Sequence, residues 1–281
     1  MRSDSTTPKQ NSAALWIYFV VSFAWSWSFW QLAVLMHPAL SIVGGFGPLI
    51  AAYGVTGWQS GRAGIWALLK RGIRWRVNWR WFVVVWTLPA LIMLMALGLH
   101  GLLGGALPNS PATGRWGLAI GNFFLVMLFG GPLGEEFGWR GYALPAFQRR
   151  FSAFWSSVIL GIIWACWHLP LFFISGAVQH QLPFGLFLLN TIALSILFTW
   201  VYNNTSGSIL MSILLHTAVN GWSLVIPILP SAANSLRPYA IATALLIIIA
   251  ALIVLVFGAR TLTAKRNRME IGEYLLSKDV L

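Results

Sequence analysis

An all-α, polytopic transmembrane bundle is the fold class this sequence predicts, and three observations predict it. The 281-residue chain is 58% hydrophobic and only 9% charged, whereas soluble domains carry about 25% charged residues. Its apolar runs recur from residue 14 to residue 258, each near the roughly 20 residues that a membrane-crossing helix needs. Its basic residues gather in alternate loops, the arrangement the positive-inside rule gives a multi-pass protein.

The spans follow in order. The first, 14–36, is too long for a signal-peptide core of about 7–15 residues and is read as a retained helix. The second, 41–58, leads into a basic connection holding Arg62, Lys70, Arg71, Arg74, Arg76 and Arg80. Its stretch RGIRWRVNWRW (71–81) reads as a topology anchor, with a basic, aromatic surface helix on the inner leaflet as the alternative. Span 81–101 is followed by LPNSPATG (107–114), a polar, proline-containing outer loop. Spans 116–137 and 152–174 flank Arg149 and Arg150, and spans 184–201, 207–227 and 238–258 complete a set of eight. With the N-terminus inside, every dense basic segment falls on the cytoplasmic side, and only Arg115 and Arg237 fall in outer loops. The expected organisation is a cytoplasmic tail (1–13), a membrane domain (14–258) whose motifs lie within 115–225, and a basic cytoplasmic tail (259–281) carrying Arg260, Lys265, Arg266, Arg268 and Lys278.

The net charge of +12 is accounted for by these loops and tails. A nucleic-acid groove needs aromatic platforms interleaved with basic residues on a soluble face, and no such domain is visible, so no nucleic-acid partner is expected. One cysteine, Cys166, excludes an internal disulfide and a multi-cysteine metal cluster.

The chemistry lies in the polar residues kept inside the apolar runs. Between Asp4 and Glu270 the only acids are Glu135 and Glu136, and ionisable groups inside a bilayer ordinarily serve a function. Glu136 and Arg140 are four residues apart with the acid first, the favourable order for an ion pair. Glu135 projects about 100° away around the helix, is left without such a neighbour, and is free to do chemistry. His168 stands deep in the fifth expected span, with Trp164 one turn before and Pro170 just after; the proline can kink the helix and free a backbone carbonyl. In the seventh span His216 and Asn220 are again four apart and share a face. Glu135 and His168 suit proton removal from water, and His216 and Asn220 suit hydrogen-bond donation to a developing oxyanion. A serine hydrolase built on Ser212 or Ser195 would leave both glutamates and Asn220 without a task. No helical HExxH zinc motif is present. A three-ligand zinc on Glu135, His168 and His216 stays open chemically, although no cofactor is firmly expected. A non-enzymatic alternative, a transporter or immunity protein using the same cluster for binding, is disfavoured because the polar residues fall in spans four, five and seven with no counterpart in one to three.

Three ordered motifs, EEFGWR (135–140), WACWH (164–168) and HTAVN (216–220), resemble the EExxxR, FxxxH and HxxxN signatures of the CPBP family of intramembrane proteases, also called the CAAX-protease or Abi family. Trp164 stands where that family usually has phenylalanine. The resemblance implies a protease in which Glu135 and His168 activate water, His216 and Asn220 form the oxyanion hole, and Glu136 and Arg140 support the site. It implies membrane-embedded or lipidated peptides as substrates, some members cleaving prenylated CAAX proteins, and a multi-pass location in a bacterial inner membrane in contact with its lipids. Members are often labelled metalloproteases, although the glutamate mechanism needs no protein-bound metal. Since Glu135 lies near the cytoplasmic end of the fourth expected span, its cavity is expected to open toward the cytoplasm or sideways into the inner leaflet.

Overall fold

A computed structural model describes residues 12–263 of the chain. The described chain is all-α. Its helices are α1 (Ser12–Leu35), α2 (Leu40–Gly44), α3 (Gly47–Gly72), α4 (Arg80–Leu102), α5 (Trp116–Phe129), α6 (Pro132–Gly138), α7 (Leu144–Gln148), α8 (Ala153–Trp167), α9 (Phe184–Asn204), α10 (Ile209–Ser223), α11 (Pro230–Ala233) and α12 (Arg237–Phe257). Apart from residues 12–13 and 259–263, the two expected tails lie outside the described residues.

Among the described residues, six helical units are long and apolar enough to cross a membrane: 13–35, 40–72, 80–102, 116–148, 184–204 and 237–257. The expectation was eight full spans. The remaining two apolar helices, α8 and α10, have 15 residues each, about 22 Å at 1.5 Å per residue, short of a hydrocarbon core of about 30 Å. Both are short for local reasons. Pro170 cannot donate to the carbonyl of Cys166, so α8 stops at Trp167 and the chain tightens into a 3₁₀ turn over Leu169–Phe173. His168 is therefore the C-cap of α8 rather than a residue deep within a continuous span. α10 begins on a Ser208 cap, whose Oγ accepts from the Met211 N–H at 3.3 Å, and it stops four residues before Pro227.

Two other expected segments differ. α3 runs on to Gly72 through a break at Gly61, whose φ of 57° suits glycine. Residues 73–79 then turn into α4 and form no separate surface helix. The fourth span is interrupted at Gly130-Gly131, where Gly131 takes φ 104° as the N-cap of α6. A π-helical turn over Trp139–Ala143 joins α6 to α7.

The main helix pairs in contact are α8 on α9, α1 on α3, α10 on α4, α3 on α6, and α12 on both α9 and α4. The outer surface keeps large apolar residues exposed, among them Leu102 at 85% and Leu255 at 79%, a coat suited to lipid and foreign to a soluble monomer. α6 and the π turn sit at the centre, with Glu136, Trp139 and Arg140 fully buried.

Candidate functional site

The break at Gly130-Gly131 positions Glu135. Its N–H donates to Gly131 O at 2.8 Å, closing the first turn of α6, and its side chain folds back over Gly131. A Cβ on Gly131 would collide with Glu135 Oε1, so this glycine serves both its positive φ and the close approach of the carboxylate. The other oxygen, Oε2, accepts from two indoles: Trp164 Nε1 at 2.6 Å and Trp139 Nε1 at 3.3 Å. Glu135 is thus pinned by one oxygen while the second faces the break.

Glu136 points the other way and is fully buried. Its Oε1 accepts from Arg140 Nη1 at 3.0 Å, the pair expected from the spacing, and from His216 Nδ1 at 2.8 Å across 80 residues of chain. The Arg140 guanidinium lies over two rings set edge to face, 4.4 Å from the Trp164 centroid and 4.1 Å from that of Phe198, a contact that favours a desolvated cation. A carboxylate only accepts, so Nδ1 of His216 carries the proton and Nε2 is the nitrogen left for other work.

His168 is oriented in a parallel way. Its Nδ1 lies 2.8 Å from Trp164 O; a carbonyl accepts, so Nδ1 donates and Nε2 is again the free nitrogen. Trp30, Trp167 and Phe187 pack around its ring at centroid distances of 6.4, 4.7 and 5.3 Å. Asn220 lies one turn beyond His216 on α10, and its Nδ2 donates to Gly130 O at 3.2 Å, which ties α10 to the helix break.

A cavity of about 1100 Å³ reaches Glu135, Trp164, His168, His216 and Asn220 together. The four expected reacting residues therefore share one space, with Glu136 and Arg140 behind them. Among the described residues, no three His, Cys, Asp or Glu side chains are grouped so as to hold a metal ion. Ser212 and Ser195 are buried and do not line this cavity.

Sequence reasoning missed Trp139, which follows Glu135 by four residues as Arg140 follows Glu136; the spacing was an available signal. It also treated Glu135 as free of neighbours, whereas the indoles of Trp139 and Trp164 both donate to its carboxylate. The expected place of Glu135, near the end of its span, differs as well. The helical unit runs on from Glu135 to Gln148, about 20 Å further at 1.5 Å per residue, so Glu135 lies at mid-depth. The exposed wall of the cavity, including Val34, Pro38, Ile42, Phe173, Val178 and Leu224, belongs to the end of the bundle away from the basic loops.

Residues 116–222 match the protein family described as type II CAAX prenyl endopeptidase Rce1-like. The match starts at the first residue of α5 and ends within the last turn of α10, so it contains all of the polar residues above. The chain is also 31% identical over 153 residues to the CAAX prenyl protease 2 of Methanococcus maripaludis, an alignment that covers 51% of this chain and 56% of the relative. The chain thus matches about half the length of that curated relative.

Proposed function

We propose that the chain is an intramembrane endopeptidase that hydrolyses a peptide bond with water activated by Glu135. The observation that carries this reading is the asymmetric Glu135 carboxylate: Oε2 held by two indole N–H groups, Oε1 left beside the break, in a cavity shared with two imidazoles and an amide. A base fixed by one oxygen keeps the other aimed, and such alignment is a large part of catalytic advantage.

Glu135 takes a proton from a water also held by His168 Nε2, and the water oxygen attacks the scissile carbonyl carbon. Negative charge collects on the carbonyl oxygen, where Asn220 Nδ2 and His216 Nε2 donate. The amide has a second N–H besides the one given to Gly130. His216 Nε2 donates only when the ring carries both protons, and Glu136 then serves as counter-ion at Nδ1. Collapse breaks the C–N bond, and Glu135 returns its proton to the leaving nitrogen, giving a carboxylate and an amine.

The apolar walls suit a lipidated or membrane-embedded peptide. The names of the matched family and relative, both CAAX prenyl proteases, point to prenylated substrates, and a bacterial inner membrane remains the proposed location. The test is cleavage of a panel of prenylated and plain membrane peptides by purified protein, with products weighed and a zinc-chelator arm run in parallel. Wild type is expected to cleave members of the panel with or without chelator, and Glu135→Gln none. Loss on chelation and recovery on adding zinc would replace the metal-free account.

A further inference from the structure

Asn190 is a polar side chain of the cavity that the reaction above does not use. On α9, Phe187, Asn190, Leu194, Leu197 and Phe198 recur every three or four residues and line the cavity together, as one face of a helix does. Asn190 interrupts this apolar stripe; its neighbour Thr191 turns its hydroxyl back onto Phe187 O at 2.8 Å. Beside Asn190 the wall is continued by Ala242 and Leu246 of α12. The Phe187 ring is 5.3 Å from that of His168, and the Phe198 ring is 5.7 Å from that of His216. Asn190 lies about 4.5 Å along the helix from Phe187 and about 12 Å from Phe198, at 1.5 Å per residue. Its depth in the cavity is therefore between the two imidazoles.

The orientation of its amide follows from its neighbours. Asn190 Nδ2 lies 3.0 Å from Thr243 Oγ1 on α12, and Thr243 Oγ1 lies 2.9 Å from Tyr239 O. A hydroxyl has one proton, and Tyr239 O can only accept it. Thr243 therefore accepts from Asn190, and the NH₂ end of the amide is the end that faces α12. Asn190 Oδ1 is the opposite end, with no hydrogen-bond donor beside it among the described residues. An amide oxygen in an apolar wall is costly until a donor meets it.

We infer that Asn190 Oδ1 accepts a backbone N–H of the bound peptide and so sets which residue presents its carbonyl to His216 and Asn220. The occupant is the peptide of the protease reading, on which this inference rests. A peptide backbone offers both kinds of group, a carbonyl for the two donors on α10 and an N–H for the acceptor on α9. A lipid chain offers neither, so the contact selects for peptide inside a largely apolar cavity.

The test is binding, measured on Glu135→Gln protein in detergent so that no turnover is needed. The probe is a fluorescent farnesylated peptide of the panel, with a set of analogues in which each backbone amide in turn is replaced by an ester. The ester keeps the carbonyl and removes the N–H. One analogue is expected to bind about tenfold more weakly than the parent, the scale of one hydrogen bond. Adding Asn190→Leu should weaken the parent by a similar factor and abolish the penalty at that one position. Thr243→Val breaks the same tie between α9 and α12 but keeps the amide, and should retain the penalty. Ester penalties that are the same with Asn190 and with Leu in its place would overturn the inference. Loss of the penalty in Thr243→Val would assign the effect to the helix tie and overturn it too, as would failure of the parent peptide to bind. Failure of the protease reading shows separately, as wild type that leaves the panel uncleaved while the ester penalty persists.

Discussion

The two adjacent glutamates differ by what surrounds each. Glu136 meets two cationic or proton-bearing partners and no cavity, and Glu135 meets two indoles and the cavity. Removing charge from one should therefore damage structure, and from the other chemistry. Glu136→Gln leaves the Arg140 guanidinium buried without its anion, and breaking a buried pair costs about 3–5 kcal/mol; a lowered Tm in detergent is the expected readout. Glu135→Gln is expected to keep the wild-type Tm and to lose cleavage by at least about 100-fold, the low end for removing a general base. Trp164→Phe keeps the ring over Arg140 and deletes the 2.6 Å bond to Oε2. It should lower kcat about tenfold, roughly 1.4 kcal/mol, with KM nearly unchanged, since the bond aims the base and does not touch the peptide.

The elements that carry the site are the irregular ones. α5–α7 is broken at Gly130-Gly131 and wound into a π turn, and α8 stops where the cavity begins. Gly131→Ala places a methyl on Oε1 and forces a φ of 104° on a residue with a side chain. Activity should fall at least as far as in Glu135→Gln, with a reduced Tm as well. Asn220→Ala removes one oxyanion donor and should cost about 100-fold in kcat. The i,i+4 pairs were legible from the sequence, because spacing within one helix fixes which side chains share a face. The His216–Glu136 bond and the Trp164–Glu135 bond were not, because a hydrophobic pattern fixes no register between helices 80 or 29 residues apart. The break itself had a signal in the Gly-Gly-Pro at 130–132 that a continuous span obscured.

For the whole molecule, composition and basic-residue placement were enough to expect an all-α membrane bundle, and the described chain has that build. Depth was harder to read. Placing Glu135 near the end of a span assumed one straight helix, whereas the chain continues through the π turn to Gln148 and sets the carboxylate mid-bundle. The central claim is that a folded protein hydrolyses peptide bonds through Glu135. The most direct measurement takes thermal unfolding and product mass spectrometry on the same preparations of wild type and Glu135→Gln, using whichever panel peptide the wild type cleaves. The account predicts equal Tm values, a single hydrolysis product pair from wild type, and none from Glu135→Gln. Cleavage by a folded Glu135→Gln at a rate near wild type would contradict it.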